Sequence, residues 1–327
     1  MRLMQLADTG QTVTSVITPD LAETALPETG FFWLDLSNGA NIAFIESLLL
    51  QQFAFHPLAI DDALHQTHMP KLDDWESYLY IVLQDVDDQA EKRQISLPEL
   101  DVFLGERYLV TYHKVPVTAV DKVWSLCQRN SHWLERGADH ILYRLIDEMV
   151  NNYMAALERL EDDVSQMEDD IFADPSPQLL EQLNSYKRII LQIRRVLTPQ
   201  REVVNKLARD GYAVIGVEDR LYFRDVYDHL VRLYELSDNA RELITSSMEI
   251  YLSLVNNRMN EIMKTLTFIA TLFMPLTFLT GFFGMNFFQA VLPSDFWTGA
   301  NMLIFVLLVM LLLPLLMYQW VRRRAWM

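Results

Sequence analysis

Apolar positions follow three successive rhythms along the 327-residue chain. In the first part, short apolar runs alternate with turn signals. Residues 31–37 (FFWLDLS), 77–86 (SYLYIVLQDV) and 107–113 (RYLVTYH) are aromatic and β-branched, which suits buried strands, and Gly105 marks a turn before the last of them. Between them, 41–52 and 56–65 have helical spacing. Residues 1–135 therefore read as an α/β domain whose sheet order the sequence does not reveal.

The second rhythm is helical. Residues 140–172 carry apolar side chains at steps of three and four without Gly or Pro, the mark of a long amphipathic helix. The DPSP break at 174–177 precedes a second helix over 177–211, with a bend expected at Pro199. Residues 136–215 thus read as an antiparallel helical pair. After Gly211 and Gly216 the pattern resumes near Glu218 and meets no breaker before Pro275. A continuous helix to Asn286 would measure about 105 Å at 1.5 Å per residue.

The third rhythm is that of a membrane. After Lys264 no charged residue appears until Asp295, and the run ending at Asn286 is long enough to cross a bilayer. Thr267, Thr271, Met274, Thr277 and Gly281 fall on one stripe of this helix. Such a stripe serves either helix packing or a polar path. Residues 216–286 therefore read as a stalk helix continuing into a first span, and 287–295 as a short external loop. Residues 296–327 read as a second span with a basic tail. The loop has no Lys or Arg, whereas Lys264 and Arg322, Arg323 and Arg324 flank the outer ends. The positive-inside rule then puts both termini in the cytoplasm and the short loop outside, and the chain is expected to be a multi-pass protein of the inner (plasma) membrane.

Composition narrows the chemistry. A formal net charge of −17 argues against nucleic acid as a partner and permits cations. Cys127 is the only cysteine, which excludes an intrachain disulfide and a cysteine-built metal site; on an apolar helix stripe it reads as core. The N-terminus MRLMQLADTGQTV has no apolar region of signal-peptide type. No Gly-x-x-x-x-Gly-Lys phosphate loop, nucleophile or acid–base pair is visible, so neither ATP hydrolysis, another enzymatic activity nor an organic cofactor is expected. Glu161, Asp162, Asp163, Glu168, Asp169 and Asp170 read as a solvated helix face. His56, His65 and His68 lie near Asp61 and Asp62 but lack a closing ligand set, and read as surface or capping residues rather than a zinc site. Asp85, Asp87 and Asp88 follow an expected strand.

The combination of YFRDVYDH, NNRMNEIMKTLTFIATLFMPLTFLTGFFGMNF, a short loop, a second span and terminal arginines resembles the CorA family of divalent-cation channels. The signature of that family is Gly-Met-Asn at the end of the first of two spans. The resemblance is dense in the final third and extends loosely over most of the chain. It implies a homopentameric funnel whose first spans line a pore for Mg²⁺, with Co²⁺ and Ni²⁺ as additional ions. On that pattern Gly284, Met285 and Asn286 form the selectivity ring, and Asn260, Leu266, Met274 and Thr277 line the pore or gate it. Asp225 takes part in a regulatory Mg²⁺ site between subunits, with Asp88 as its partner and Asp87 as the alternative register. Bound Mg²⁺ then holds the pore shut, and its loss loosens the interface.

One departure stands out. Where many members carry Met-Pro-Glu in the external loop, this chain has Leu292-Pro293-Ser294, and Asp295 supplies a charge one place later. Ion preference therefore stays open between this reading and a zinc transporter of the ZntB branch, possessing the same fold and coupled to protons. A membrane-tethered cation sensor or scaffold that does not conduct is the alternative from another class.

Overall fold

The computed structural model describes residues 1–6, 12–16, 27, 30–37, 41–89, 94–285 and 300–323. The chain divides into two compact units, Met1–Met248 and Glu249–Met327.

In the first unit, β1 (Arg2–Leu6), β2 (Thr12–Val16), β3 (Phe32–Ser37), β4 (Lys71–Asp74), β5 (Leu79–Gln84), β8 (Glu99–Leu104) and β9 (Tyr108–His113) form a seven-stranded sheet of order β2-β1-β3-β9-β8-β5-β4. The pair β3 and β9 is parallel, and the other neighbours are antiparallel. Strands β6 (Asp87–Gln89) and β7 (Gln94–Ser96) make a separate hairpin.

Helices α1 (Ile42–Gln51) and α2 (Pro57–His65) cover one face, where Ile45, Leu49, Ile60 and Ala63 pack on Leu34, Tyr80, Phe103 and Val110. The opposite face carries Trp33, whose ring lies 4.9 Å from that of Trp124 in α3 (Thr118–Arg129). Both faces are thus covered, which is why β5 is buried at every position and why the central strands read as continuous apolar runs. The turn between β8 and β9 requires Gly105. A Cβ there would meet the Tyr108 ring at 2.3 Å.

The short α4 (His132–Glu135) leads into α5 (Ala138–Ala173), α6 (Pro177–Arg209) and α7 (Asp219–Gly284). The expected bend at Pro199 does not end α6, which continues through it. Each of the three long helices carries a seam at alternating steps of three and four. In α7 the seam is Phe223, Val226, Leu230, Leu233, Ser237, Ala240, Ile244 and Ser247, all buried. In α5 it includes Tyr153, Leu157, Leu160, Val164, Met167 and Ile171, and in α6 Leu183, Tyr186, Ile190, Ile193, Leu197 and Gln200. This is the heptad spacing of coiled-coil packing. Polar contacts bind the same helices at their margins. Tyr186 donates to Asp163 at 2.6 Å, and Arg194 pairs with Asp238 while lying over the Tyr234 ring.

The second unit contains the last part of α7, which is apolar, and α8 (Ala300–Arg323). Among the described residues, α7 is the helix long and apolar enough to cross a membrane, and Ile304–Trp320 within α8 is a shorter apolar stretch. The Phe268 and Tyr318 rings lie 6.3 Å apart in this unit.

Candidate permeation helix and regulatory carboxylates

The apolar end of α7 is helical to Gly284, and the Met285 N–H closes onto the Phe282 carbonyl at 3.4 Å. Asn260, Leu266, Thr267, Thr271, Met274, Thr277, Gly281, Gly284 and Met285 are all exposed in the single chain. Asn286 and Asp295, expected at the outer mouth, lie outside the described residues.

The threonines of this segment have a common geometry. Thr271 donates its hydroxyl to the Thr267 carbonyl at 2.8 Å, Thr277 to Phe273 at 2.9 Å, and Thr280 to Leu276 at 3.0 Å. Each hydroxyl proton is therefore spent inside the helix, so the polar side chain satisfies its own donor in an apolar surrounding. The oxygen lone pairs then face outward as acceptors. Pro275 lies within the helix and has no N–H, so the Thr271 carbonyl loses its usual partner and adds a further acceptor to the same turn.

Asp225 lies exposed on α7 in the first unit. The structure brings Asp147 of α5 into its neighbourhood, a residue the sequence did not single out. Burial pushes the Asp147 carboxyl above the ordinary carboxylate range, and the negative charges of Glu148 and Asp225 push the same way. Arg144, 2.9 Å from Asp147, and His229 act in the opposite direction. The helix register that puts residues 222–229 opposite 143–147 was the only available signal, and it is a tertiary one. Asp88 pairs through its backbone with Ile95 in the β6–β7 hairpin, and Asp87 opposes Ser96. The Asp88 side chain lies outside what is described. Among the described residues, no group of three His, Cys, Asp or Glu side chains is preassembled around a metal position.

Asp85 has a different role from the aspartates that follow it. It is fully buried and accepts from the backbone N–H of Val86 at 2.8 Å and of Ala119 at 3.1 Å. The Asn152 amide donates to it at 3.0 Å. Asp85 thus supplies from another element the N-terminal cap that Val117 cannot give α3. His56 is the N-cap of α2, its Nδ1 accepting from Leu58 N–H at 3.2 Å. His65 lies 3.1 Å from Asp61 and His68 3.7 Å from Asp62, as local pairs. Cys127 is buried, and burial raises its thiol to about 12.

Comparison with known proteins gives one family. The family model described as CorA-like Mg²⁺ transporter protein matches residues 28–323. A cobalt/magnesium transport protein CorA of Thermotoga maritima is 31% identical over 296 residues, covering 90% of this chain and 83% of that protein. A zinc transport protein ZntB of Yersinia pseudotuberculosis is 26% identical over 280 residues, covering 85% and 83% respectively. The complete structure of the CorA magnesium transporter from Methanocaldococcus jannaschii superposes with a TM-score of 0.84 at 23% identity, covering 100% of this chain and 98% of that one. Its fold is the one found here, an α/β domain followed by long helices and an apolar C-terminal pair. With nearly the whole chain matched and a long apolar helix ending in Gly284-Met285, the protein belongs to the CorA family of membrane transporters.

Proposed function

We propose that this protein is a Mg²⁺ influx channel, also admitting Co²⁺ and Ni²⁺, assembled from five copies with the α7 spans around a central path. The observation that carries this reading is the outward acceptor set of α7. Mg²⁺ gives up its water reluctantly, so a permeating ion presents water O–H donors to the wall. Hydroxyl oxygens at Thr271 and Thr277, whose protons are already spent, are suited to receive them. An amide ring at Gly284-Met285-Asn286 would select at the outer end, and Met274 and Leu266 would narrow the path with apolar side chains that gate by dewetting. One chain cannot enclose such a path, because its apolar segments leave these residues exposed.

No nucleotide is required. A doubly charged ion moving down an interior-negative potential gains about 4.6 kcal/mol per 100 mV, at 2.3 per charge. That supports about three decades of accumulation at 1.4 kcal/mol per decade. On this reading α8 is the second span, residues 287–295 face outward, and both termini are cytoplasmic.

For regulation, Asp225 with Asp147 beside it and Asp88 or Asp87 from a neighbouring copy would hold an inhibitory Mg²⁺. Oxygen ligands suit this hard cation. The bound ion offsets repulsion between like-charged subunits, and its loss favours opening. The second reading, zinc transport coupled to protons, is favoured by the similarity to a zinc transport protein. Flux in proteoliposomes for Mg²⁺, Co²⁺, Ni²⁺ and Zn²⁺ separates the two. Zn²⁺ uptake that needs a proton gradient, without Mg²⁺ uptake, would replace the first reading with the second.

A further inference from the structure

The C-terminal end of α8 carries a groove of about 440 Å³ lined by Leu316, Met317, Gln319, Trp320 and Arg323. Steps of three and four put Leu316, Trp320 and Arg323 on one side of the helix, with exposed Leu308 and Leu312 continuing that side toward its middle. The side therefore changes character along its length, from leucine to an amphipathic indole to a guanidinium. From Leu308 to Arg323 it measures about 22 Å at 1.5 Å per residue, half of a bilayer of about 40–45 Å. Apolar chain, interfacial linkage and phosphate occur in that order over that distance in one leaflet's lipid. Charge decides which lipid. The chain carries −17 overall, and the arginines at 322–324 are its compact basic group in the apolar C-terminal region. An anionic headgroup is attracted to such a cluster.

We propose that this groove is a binding site for an anionic phospholipid, with the acyl chain along Leu308, Leu312 and Leu316, the linkage region against Gln319 and Trp320, and the phosphate on Arg323. The site rests on α8 crossing the bilayer and not on which ion is carried. Arg322, one residue before Arg323 in α8, is about 100° away around the helix axis at 3.6 residues per turn. A groove and a diffuse basic cluster therefore differ in which arginine matters.

The full chain reconstituted with equimolar phosphatidylcholine and phosphatidylglycerol, then extracted in mild detergent, can be assayed for retained lipid by mass spectrometry. Phosphatidylglycerol should be enriched about fivefold, the factor expected of one arginine at an anionic surface. Arg323→Gln should bring the ratio near parity, while Arg323→Lys and Arg322→Gln retain most of it. Absence of enrichment in the unaltered protein, or equal loss in R322Q and R323Q, would overturn the site. Mg²⁺ uptake by the same preparation judges the channel separately: uptake without enrichment removes only the lipid site, and enrichment without uptake removes only the channel.

Discussion

His140 Nδ1 lies 2.7 Å from Asp219 Oδ1, joining the first turn of α5 to the first residue of α7. The imidazole is buried, stacked on Trp133 at an interplanar angle of 3°, and flanked by Arg136, Asp139 and Tyr222. Burial lowers its pKa below the ordinary 6.5, with Asp219 opposing. A depressed histidine pKa means that the unfolded chain takes up the proton more readily. This contribution to stability is therefore complete above about pH 6.5 and lost as pH falls through the folded value. The thermal midpoint of the full chain in detergent should decline in that window, and His140→Gln should flatten the decline. An unchanged slope in the variant would exclude His140 as its origin. Asp219→Ala, which leaves a buried donor unpaired, should cost about 1–3 kcal/mol.

The buried seam of α7 narrows at Ser237 and Ala240 between Leu233 and Ile244. Both small side chains are buried within the seam. Ala240→Leu should destabilise the first unit by about 1–3 kcal/mol through overpacking, measured by denaturant unfolding of the full chain. A neutral result would mean that α7 packs more loosely than its burial indicates.

Asp85 is the cap of α3 and not a surface carboxylate. Asp85→Ala leaves the Ala119 and Val86 N–H groups without their acceptor and should cost about 1–3 kcal/mol. Asp85→Asn, which keeps an acceptor oxygen, should cost less. Equal losses in the two variants would show that charge, and not acceptance, is what matters at this position.

Asp225→Ala should weaken inhibition of current by cytoplasmic Mg²⁺ while leaving the pore able to conduct. Asp147→Asn should act in the same direction, because Asp147 faces the same region. A dose–response curve for Mg²⁺ inhibition that does not move in either variant would remove the proposed regulatory site.

The helices were legible because their signals are local. The three-four spacing of 140–172 became Ala138–Ala173, and the pattern starting near Glu218 became a helix from Asp219. The strands at 31–37, 77–86 and 107–113 were visible from their apolar runs, since both faces of the sheet are covered. Strand order was not legible, because pairing β3 with β9 joins segments more than seventy residues apart and no local pattern encodes it. Edge strands such as β2 and β4 carry too little apolar side chain to announce themselves. Asp85 was grouped with Asp87 and Asp88 because the sequence shows an acidic run and cannot show that α3 and α5 close over its first member. Asp147 was hidden for a similar reason, as its relation to Asp225 exists only across two packed helices.

On the proposed function, hydrated Mg²⁺ enters at Gly284-Met285-Asn286 and passes inward along α7. Potential-driven Mg²⁺ uptake into proteoliposomes, compared between the unaltered chain and Asn286→Ala at matched protein incorporation, tests it most directly. Uptake should proceed without a nucleotide or proton gradient and fall about tenfold or more in the variant, equivalent to about 1.4 kcal/mol of lost ion recognition. Equal uptake by the two proteins, or no Mg²⁺ uptake by either, would contradict it.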